Sequence, residues 1–225
     1  MKRVIKNLRF VKNIRNYLRT KNIISTSEGQ IKISTPPGKL LYNFIEKNDI
    51  KSVLEIGTWN GLGSTIVLHD ALKGKNGTFS ITSLETDKIA YKKAKKNLKN
   101  RKEIKLLLGR ITEINEMPEP SSIDYIKHNL NPKNIEWFYQ DLRRYKKTKN
   151  VFELLDTSYD LILFDGGEFS TFAEFAKLYQ RTKYFCLDDI DTYKQFEVLK
   201  YIDNNSKKFR LIETVEDLSI YQVLN

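Results

Sequence analysis

The stretch Ser52-Val53-Leu54-Glu55-Ile56-Gly57-Thr58-Trp59-Asn60-Gly61-Leu62-Gly63-Ser64-Thr65 decides the fold. Ser52 to Ile56 is a short, mostly apolar run, which reads as a strand buried on both faces. Gly61 to Leu72 reads as a helix reached through glycines. Glycines between a strand and a helix let the backbone turn sharply and approach a ligand closely. The helix start behind them presents unpaired N–H groups. Two phosphate templates fail here. The P-loop places Lys before Ser/Thr, and Gly63 stands before Ser64. The dinucleotide fingerprint is spaced G-x-G-x-x-G, whereas this loop is spaced G-x-x-x-G-x-G. Glu55 adds a negative charge beside the loop, which favours a cationic or zwitterionic ligand over a pyrophosphate.

Outward from this stretch the same alternation repeats. Pro36 and Pro37 open a helix through Leu40, Leu41, Phe44 and Ile45. Phe79 to Leu84 reads as a second strand ending at Glu85, and Asp87 caps a lysine-rich helix to Asn100. Ile104 to Leu108 is a third strand, stopped by Gly109. Asp160 to Phe164 is a fourth, ending at Asp165, and a helix follows from Ser170 to Gln180. Tyr184 to Leu187 is a fifth, ending at Asp188 and Asp189, with a helix from Thr192 to Ile202 behind it. Phe209 to Thr214 and Leu218 to Val223 are joined by a tight polar turn at Glu216 and Asp217. Strands alternating with helices imply an α/β doubly wound, mostly parallel seven-stranded sheet. The last two strands are too close for a helical crossover, so they pair antiparallel at one edge. Ligands of such sheets bind at the carboxyl ends of the strands. The acids Glu55, Glu85, Asp165, Asp188 and Asp189 therefore converge on one crevice. Glu85 is placed to accept two hydrogen bonds from a ribose diol. The crevice thus asks for a ligand with a ribose, a positive charge and no phosphate, features that S-adenosylmethionine combines.

Residues 112–157 interrupt the alternation and are too long for an ordinary connection. They read as a helical cap over the crevice, with helices at Ile123 to Leu130 and Ile135 to Tyr145. Trp137, Phe138 and Tyr139 read as the core of that cap. Residues 28–225 therefore form one domain with this insertion, preceded by a separate segment, 1–27.

Of 225 residues, 40% are hydrophobic and 30% charged, enough for a real core and against wholesale disorder. One cysteine and two histidines exclude a disulfide framework and make a Cys- or His-built metal centre improbable, so any metal is held by oxygens. The net charge is +11, and eight of those charges fall between Met1 and Ser27, where no acid occurs. Val4, Leu8, Val11, Ile14 and Leu18 put an apolar stripe beside that basic face. This amphipathic helix either packs on its own domain or a second copy, or meets an anionic membrane surface through residues 1–24. It has no continuous apolar region of a secretory signal, so the expected location is cytoplasmic, with peripheral contact at the inner membrane face as the alternative.

The pieces Val53 to Thr58, Gly63 to Thr65, Ser83 to Glu85, Tyr159 to Asp165 and Leu187 to Asp189 together resemble the class I S-adenosylmethionine-dependent methyltransferases. The resemblance is nearest to the catechol and caffeoyl-CoA O-methyltransferases, and runs from about Gln30 to the C-terminus with the insertion set aside. It implies that Gly57, Thr58, Gly61 and Gly63 shape the loop around the cofactor's methionine part. Glu55 would lie near the amino group, Ser64 would help hold the carboxylate, and Glu85 would bind the ribose. Gly109 and Arg110 would line the adenine. Asp165 would face methyl donor and acceptor. In the catechol type a divalent cation such as Mg²⁺ is held by an aspartate after the fourth strand and an Asp-Asn pair after the fifth. Asp165, Asp188 and Asp189 stand at those places, all oxygen ligands.

This sequence departs from that group at two points. Its basic lysine three residues after Asp165 is replaced by Glu168, a candidate general base, metal ligand or helix N-terminal acid. The usual Gly-Gly before the fifth strand is replaced by Arg181-Thr182-Lys183. The expected reaction is methyl transfer to a hydroxyl. The opening Leu54 to Gly61 resembles proteins of bacterial surface-polysaccharide clusters, which implies a sugar of a glycan or its precursor as acceptor. Two alternatives stay open: an RNA methyltransferase, and a non-catalytic cofactor-binding protein. Nucleic acid is the weaker partner, because most of the excess charge lies in the terminal segment. A small-molecule or glycan acceptor is the expected partner, and a homodimer through the terminal helix is open.

Overall fold

The computed structural model describes residues 31–127 and 132–224. The terminal helix expected at 1–27 lies outside these residues. Seven strands form one sheet: β1 (Ser52–Ile56), β2 (Ser80–Glu85), β3 (Ile104–Leu108), β4 (Tyr159–Phe164), β5 (Thr182–Leu187), β6 (Phe209–Val215) and β7 (Leu218–Val223). The helices are α1 (Pro36–Lys47), α2 (Ser64–Lys73), α3 (Lys88–Asn97), α4 (Asp124–Lys127), α5 (Pro132–Lys147), α6 (Thr171–Leu178) and α7 (Tyr193–Asn204). The strand order is β3-β2-β1-β4-β5-β7-β6. β1 to β5 pair in parallel, whereas β7 runs antiparallel to both β5 and β6. The C-terminal hairpin is thus present, but its second strand inserts between β5 and β6 rather than extending the edge.

The two-residue period of the strands explains the layering. Leu161 and Leu163 of β4 face one side, with Leu41, Ile45, Leu68 and Leu72 of α1 and α2. Ile162 and Phe164 face the other, with Phe175, Leu178, Val198 and Ile202 of α6 and α7. Burial on both faces is why these strands read as continuous apolar runs.

Helix ends follow local chemistry. Thr35 caps α1, whose first two residues are Pro36 and Pro37. Asp87 caps α3 through the N–H groups of Ile89 and Ala90. The helix expected from Gly61 begins at Ser64, because Gly61 has φ +75° and the loop is still turning there.

Between β3 and β4 the cap has its own core of Met117, Ile123, Ile126, Phe138 and Tyr145, completed by Phe169 and Tyr193 of the main domain. Phe138 meets Phe169 edge-on at 5.4 Å, and Phe169 lies 5.1 Å from Tyr193. Of the three aromatics expected inside the cap, Phe138 is buried while Trp137 and Tyr139 are exposed. Consecutive helical residues point about 100° apart, so three in a row cannot share one face. Among the described residues no helix is long and apolar enough to cross a membrane.

Candidate active site

The carboxyl ends of β1, β2, β4 and β5 meet as the pairing requires. Asp165 N–H donates to Ile56 O (2.9 Å), Asp188 N–H to Phe164 O (3.3 Å), and Gly57 N–H to Leu84 O (2.9 Å). Gly57 has φ +103°, and a Cβ there would lie 2.0 Å from the carbonyl oxygen of Asp165. No side chain wider than hydrogen fits where the first loop crosses β4.

Glu55 is fully buried and holds the loop from beneath. Its carboxylate accepts the hydroxyls of Ser64 (2.6 Å), Thr65 (2.7 Å) and Ser83. Thr58 Oγ1 lies 2.5 Å from Ser83 Oγ and extends this network. Burial raises the Glu55 carboxyl to about 7, against these hydrogen bonds. Glu55 and the Ser64 hydroxyl are therefore committed to each other. What faces outward is the start of α2, which no side chain caps, and whose N–H groups suit a carboxylate.

Glu85 is buried at the end of β2. It accepts the N–H groups of Trp59 and Asp87, each at 2.6 Å, one on each oxygen. Each oxygen has a second lone pair, so the carboxylate can still receive a ribose diol. Burial raises it to about 7, with those two N–H groups opposing the shift. The uncapped helix start and the open lone pairs of Glu85 therefore fit the methionine carboxylate and the ribose of S-adenosylmethionine. Gly109 continues this wall through its N–H to Glu85 O (3.0 Å). Arg110 turns away: its guanidinium bonds Thr112 O (2.6 Å) and Glu113 (2.9 Å).

Two residues of α5, absent from the candidates named above, stand at this rim. Asp141 is buried and accepts the Glu168 N–H (2.9 Å) while pairing with Arg144 (3.1 Å). Arg144 also reaches Asp87 (3.3 Å). One helix of the cap thereby ties the β4–α6 loop to the ribose side of the crevice. It also brings one basic side chain, Arg144, to the rim, although most of the excess charge lies in the terminal segment.

Asp165, Asp188 and Asp189 come together as expected, with one carboxylate oxygen from each lying within 4.8 Å of the others. A fourth group joins them. The Lys194 ammonium contacts Asp165 Oδ1 at 2.7 Å and Asp189 Oδ2 at 3.5 Å, and its side chain is 2% exposed. Burial opposes that ammonium, but Asp165, Asp189, Asp188 and Glu168 outweigh it and raise its pKa. Asp188 is pushed up by burial and by its two aspartate neighbours. Glu168 is half-buried beside this group. Burial raises its carboxyl to about 7, Lys194 pulling it down and Asp189 and Asp141 pushing it up. The sequence held one signal for Lys194: a cation in the first turn of a helix, where the dipole disfavours it, just after Asp188, Asp189 and Asp191.

A cleft of about 540 Å³ between α1 and β6, lined by Lys39, Phe44, Lys47 and Arg210, is away from these strand ends.

The strand order, the loop and the acidic strand ends define the fold of class I S-adenosylmethionine-dependent methyltransferases. No family model and no curated protein matches the sequence. Among solved structures, the chain is similar to an O-methyltransferase from Bacillus cereus in complex with S-adenosylhomocysteine. That pair shares 14% identity over 98% of this chain and 90% of that one, with a TM-score of 0.55. A methyltransferase from Geobacter sulfurreducens aligns at 12% identity over 96% and 89%, with a TM-score of 0.53. An rRNA methylase from Streptococcus thermophilus aligns at 12% identity over 86% and 100%, with a TM-score of 0.50. Proteins named for different acceptors thus share this fold, so the acceptor has to be argued from the site.

Proposed function

We propose that this chain is an S-adenosylmethionine-dependent O-methyltransferase acting on a hydroxyl acceptor. The observation that carries the reading is the convergence of the glycine loop, Glu85, Asp165 and Glu168 at the carboxyl ends of adjacent strands. The cofactor, when bound, supplies a methyl group on a positively charged sulfur. The chain's residues do the rest. The α2 start and Glu85 hold the methionine carboxylate and the ribose of the ligand. The acceptor oxygen forms its bond to the methyl carbon as the carbon–sulfur bond breaks, and the hydroxyl proton passes to a carboxylate. Glu168, with its pKa near 7, is suited to take that proton at neutral pH. Alignment of donor and acceptor supplies much of the rate.

For the acceptor we propose a sugar hydroxyl of a glycan or its precursor. The likeness of the Leu54 to Gly61 opening to surface-polysaccharide proteins supports this. Exposed Trp59 on the loop and Trp137, stacked 6.5 Å from Tyr193, offer flat apolar faces for a sugar ring. A divalent ion at Asp165, Asp188 and Asp189 forms no part of this proposal, because Lys194 already places a positive charge there.

The test is calorimetry of S-adenosylmethionine binding to the full chain, followed by transfer of a labelled methyl group to nucleotide sugars and to RNA. Saturable binding and label on the sugar are expected. Label on RNA alone would replace the acceptor, and binding without any transfer would make the chain a cofactor-binding protein. No binding would refute the reading.

A further inference from the structure

We propose that Lys194 is the resident cation of the aspartate cluster, so that the site works without a divalent metal. Its functional meaning rests on the methyl-transfer reading, but the geometry stands by itself. The ammonium sits 2.7 Å from Asp165 Oδ1 and 3.5 Å from Asp189 Oδ2, two of the three carboxylates that offer a metal site. A divalent ion bound there would share its ligand oxygens with the ammonium and be repelled by it at a few ångströms.

The lysine is not free to leave. Thr192 caps α7 and fixes Lys194 as its second residue. Its neighbour Gln195 is fully buried and bonded to Phe164 O (3.1 Å) and Asp188 O (2.8 Å), which pins the first turn to β4 and β5. Asp189 adopts φ +60°, a left-handed turn that aspartate tolerates better than most residues. That turn carries its carboxylate back toward α7. A cation at a helix start opposes the dipole, so the placement is compensated by the aspartates it faces.

The consequence bears on substrate class. A metal centre of this kind gathers two neighbouring oxygens of its acceptor. With a lysine in that place, Asp165 is fixed by the protein and no chelation is available. The acceptor therefore needs one hydroxyl, not a vicinal pair.

The experiment is a Mn²⁺ titration of the full chain, reading free Mn²⁺ by electron paramagnetic resonance. The wild type is expected to bind no stoichiometric Mn²⁺ at the cluster. Lys194→Met should bind one Mn²⁺ at least tenfold more tightly than the wild type, and adding Asp188→Asn should abolish the gain. Heat stability lost in Lys194→Met should be recovered by Mn²⁺, which a merely structural lysine would not produce. Wild-type binding that disappears in Asp165→Asn would overturn the proposal, as would a folded Lys194→Met with no gain. The wild-type arm decides even where Lys194→Met does not fold. Calorimetry of S-adenosylmethionine in EDTA separates the two readings: absence of cofactor binding would sink the methyltransferase proposal and leave the Mn²⁺ result standing.

Discussion

Gly57→Ala tests whether the glycine loop is held by contact with β4, and Gly77→Ala supplies its control. Both residues have strongly positive φ, +103° and +112°, where an L side chain is strained. At Gly77 nothing lies within 4 Å of an added Cβ, so the substitution carries conformational strain alone. That is of order 1–2 kcal/mol, and lowers Tm by roughly 2–8 °C in a domain of this size. At Gly57 the same strain is joined by a Cβ placed 2.0 Å from Asp165 O and 2.5 Å from its carbonyl carbon. The obstacle is backbone, so no rotamer change relieves it. The loop or the end of β4 has to move, and the Asp165 N–H bond to Ile56 O is strained with it. We expect the Tm loss at Gly57 to be at least twice that at Gly77. S-adenosylmethionine affinity should fall tenfold or more in Gly57→Ala and stay unchanged in Gly77→Ala. Differential scanning calorimetry and binding calorimetry on the two variants read both quantities. Equal Tm losses with unchanged affinity in both would show that the loop does not depend on its approach to Asp165.

Glu85→Ala should weaken S-adenosylmethionine binding tenfold or more, about 1.4 kcal/mol. It should also destabilise the chain, because it strips the Trp59 and Asp87 N–H groups of their acceptor, at about 1–3 kcal/mol for a buried donor. Lost stability with unchanged affinity would leave Glu85 a loop holder. Glu55, Glu85 and the buried Glu174 of α6, which accepts the Tyr145 hydroxyl (2.7 Å), are all raised to about 7 by burial. The folded chain therefore holds protons that the unfolded chain releases between about pH 4.5 and 7. Stability is present below that window and is lost as pH rises through it, by a few kcal/mol at most for each group. Denaturant midpoints should be lower at pH 8 than at pH 5.5, and a flat or rising profile would refute the burial of these acids.

How legible these features were follows from the range of the interaction behind them. β1, β4 and β5 are buried on both faces by neighbours on either side, so their runs are mostly apolar and stop at acids or glycines, whereas β2 carries Thr82 and Ser83 among its buried residues. The insertion of β7 between β5 and β6 is set by pairing alone, since Leu218 to Val223 would look the same at the edge. The cap helix Pro132–Lys147 was visible from its spacing, whereas the one expected at Ile123 to Leu130 is described only at Asp124–Lys127, with 128–130 lying outside the described residues. The partnerships of Asp141 with Glu168 and of Arg144 with Asp87, 27 and 57 positions apart, leave no local trace. Glu168 was visible as a departure at a fixed offset from Asp165. Lys194, which answers the same acids from another helix, was not, because offset reasoning looks only along the chain.

Five acids around the crevice divide by what their oxygens already hold. Glu55 accepts three hydroxyls and Asp141 accepts a backbone N–H and a guanidinium, so both are spent on shaping loops. Glu85 keeps a lone pair on each oxygen, Asp165 is engaged through one oxygen by Lys194, and Glu168 lies half-buried at the crevice. Of these five, the second group has oxygens left to act on a ligand directly. Loss of activity on replacing Glu55 or Asp141 would report a loop that no longer closes. The same loss at Asp165 or Glu168 in a variant of unchanged Tm would report the chemistry itself. Stability and turnover therefore have to be read together at every acid in the crevice, because the same kind of side chain builds the site and works in it.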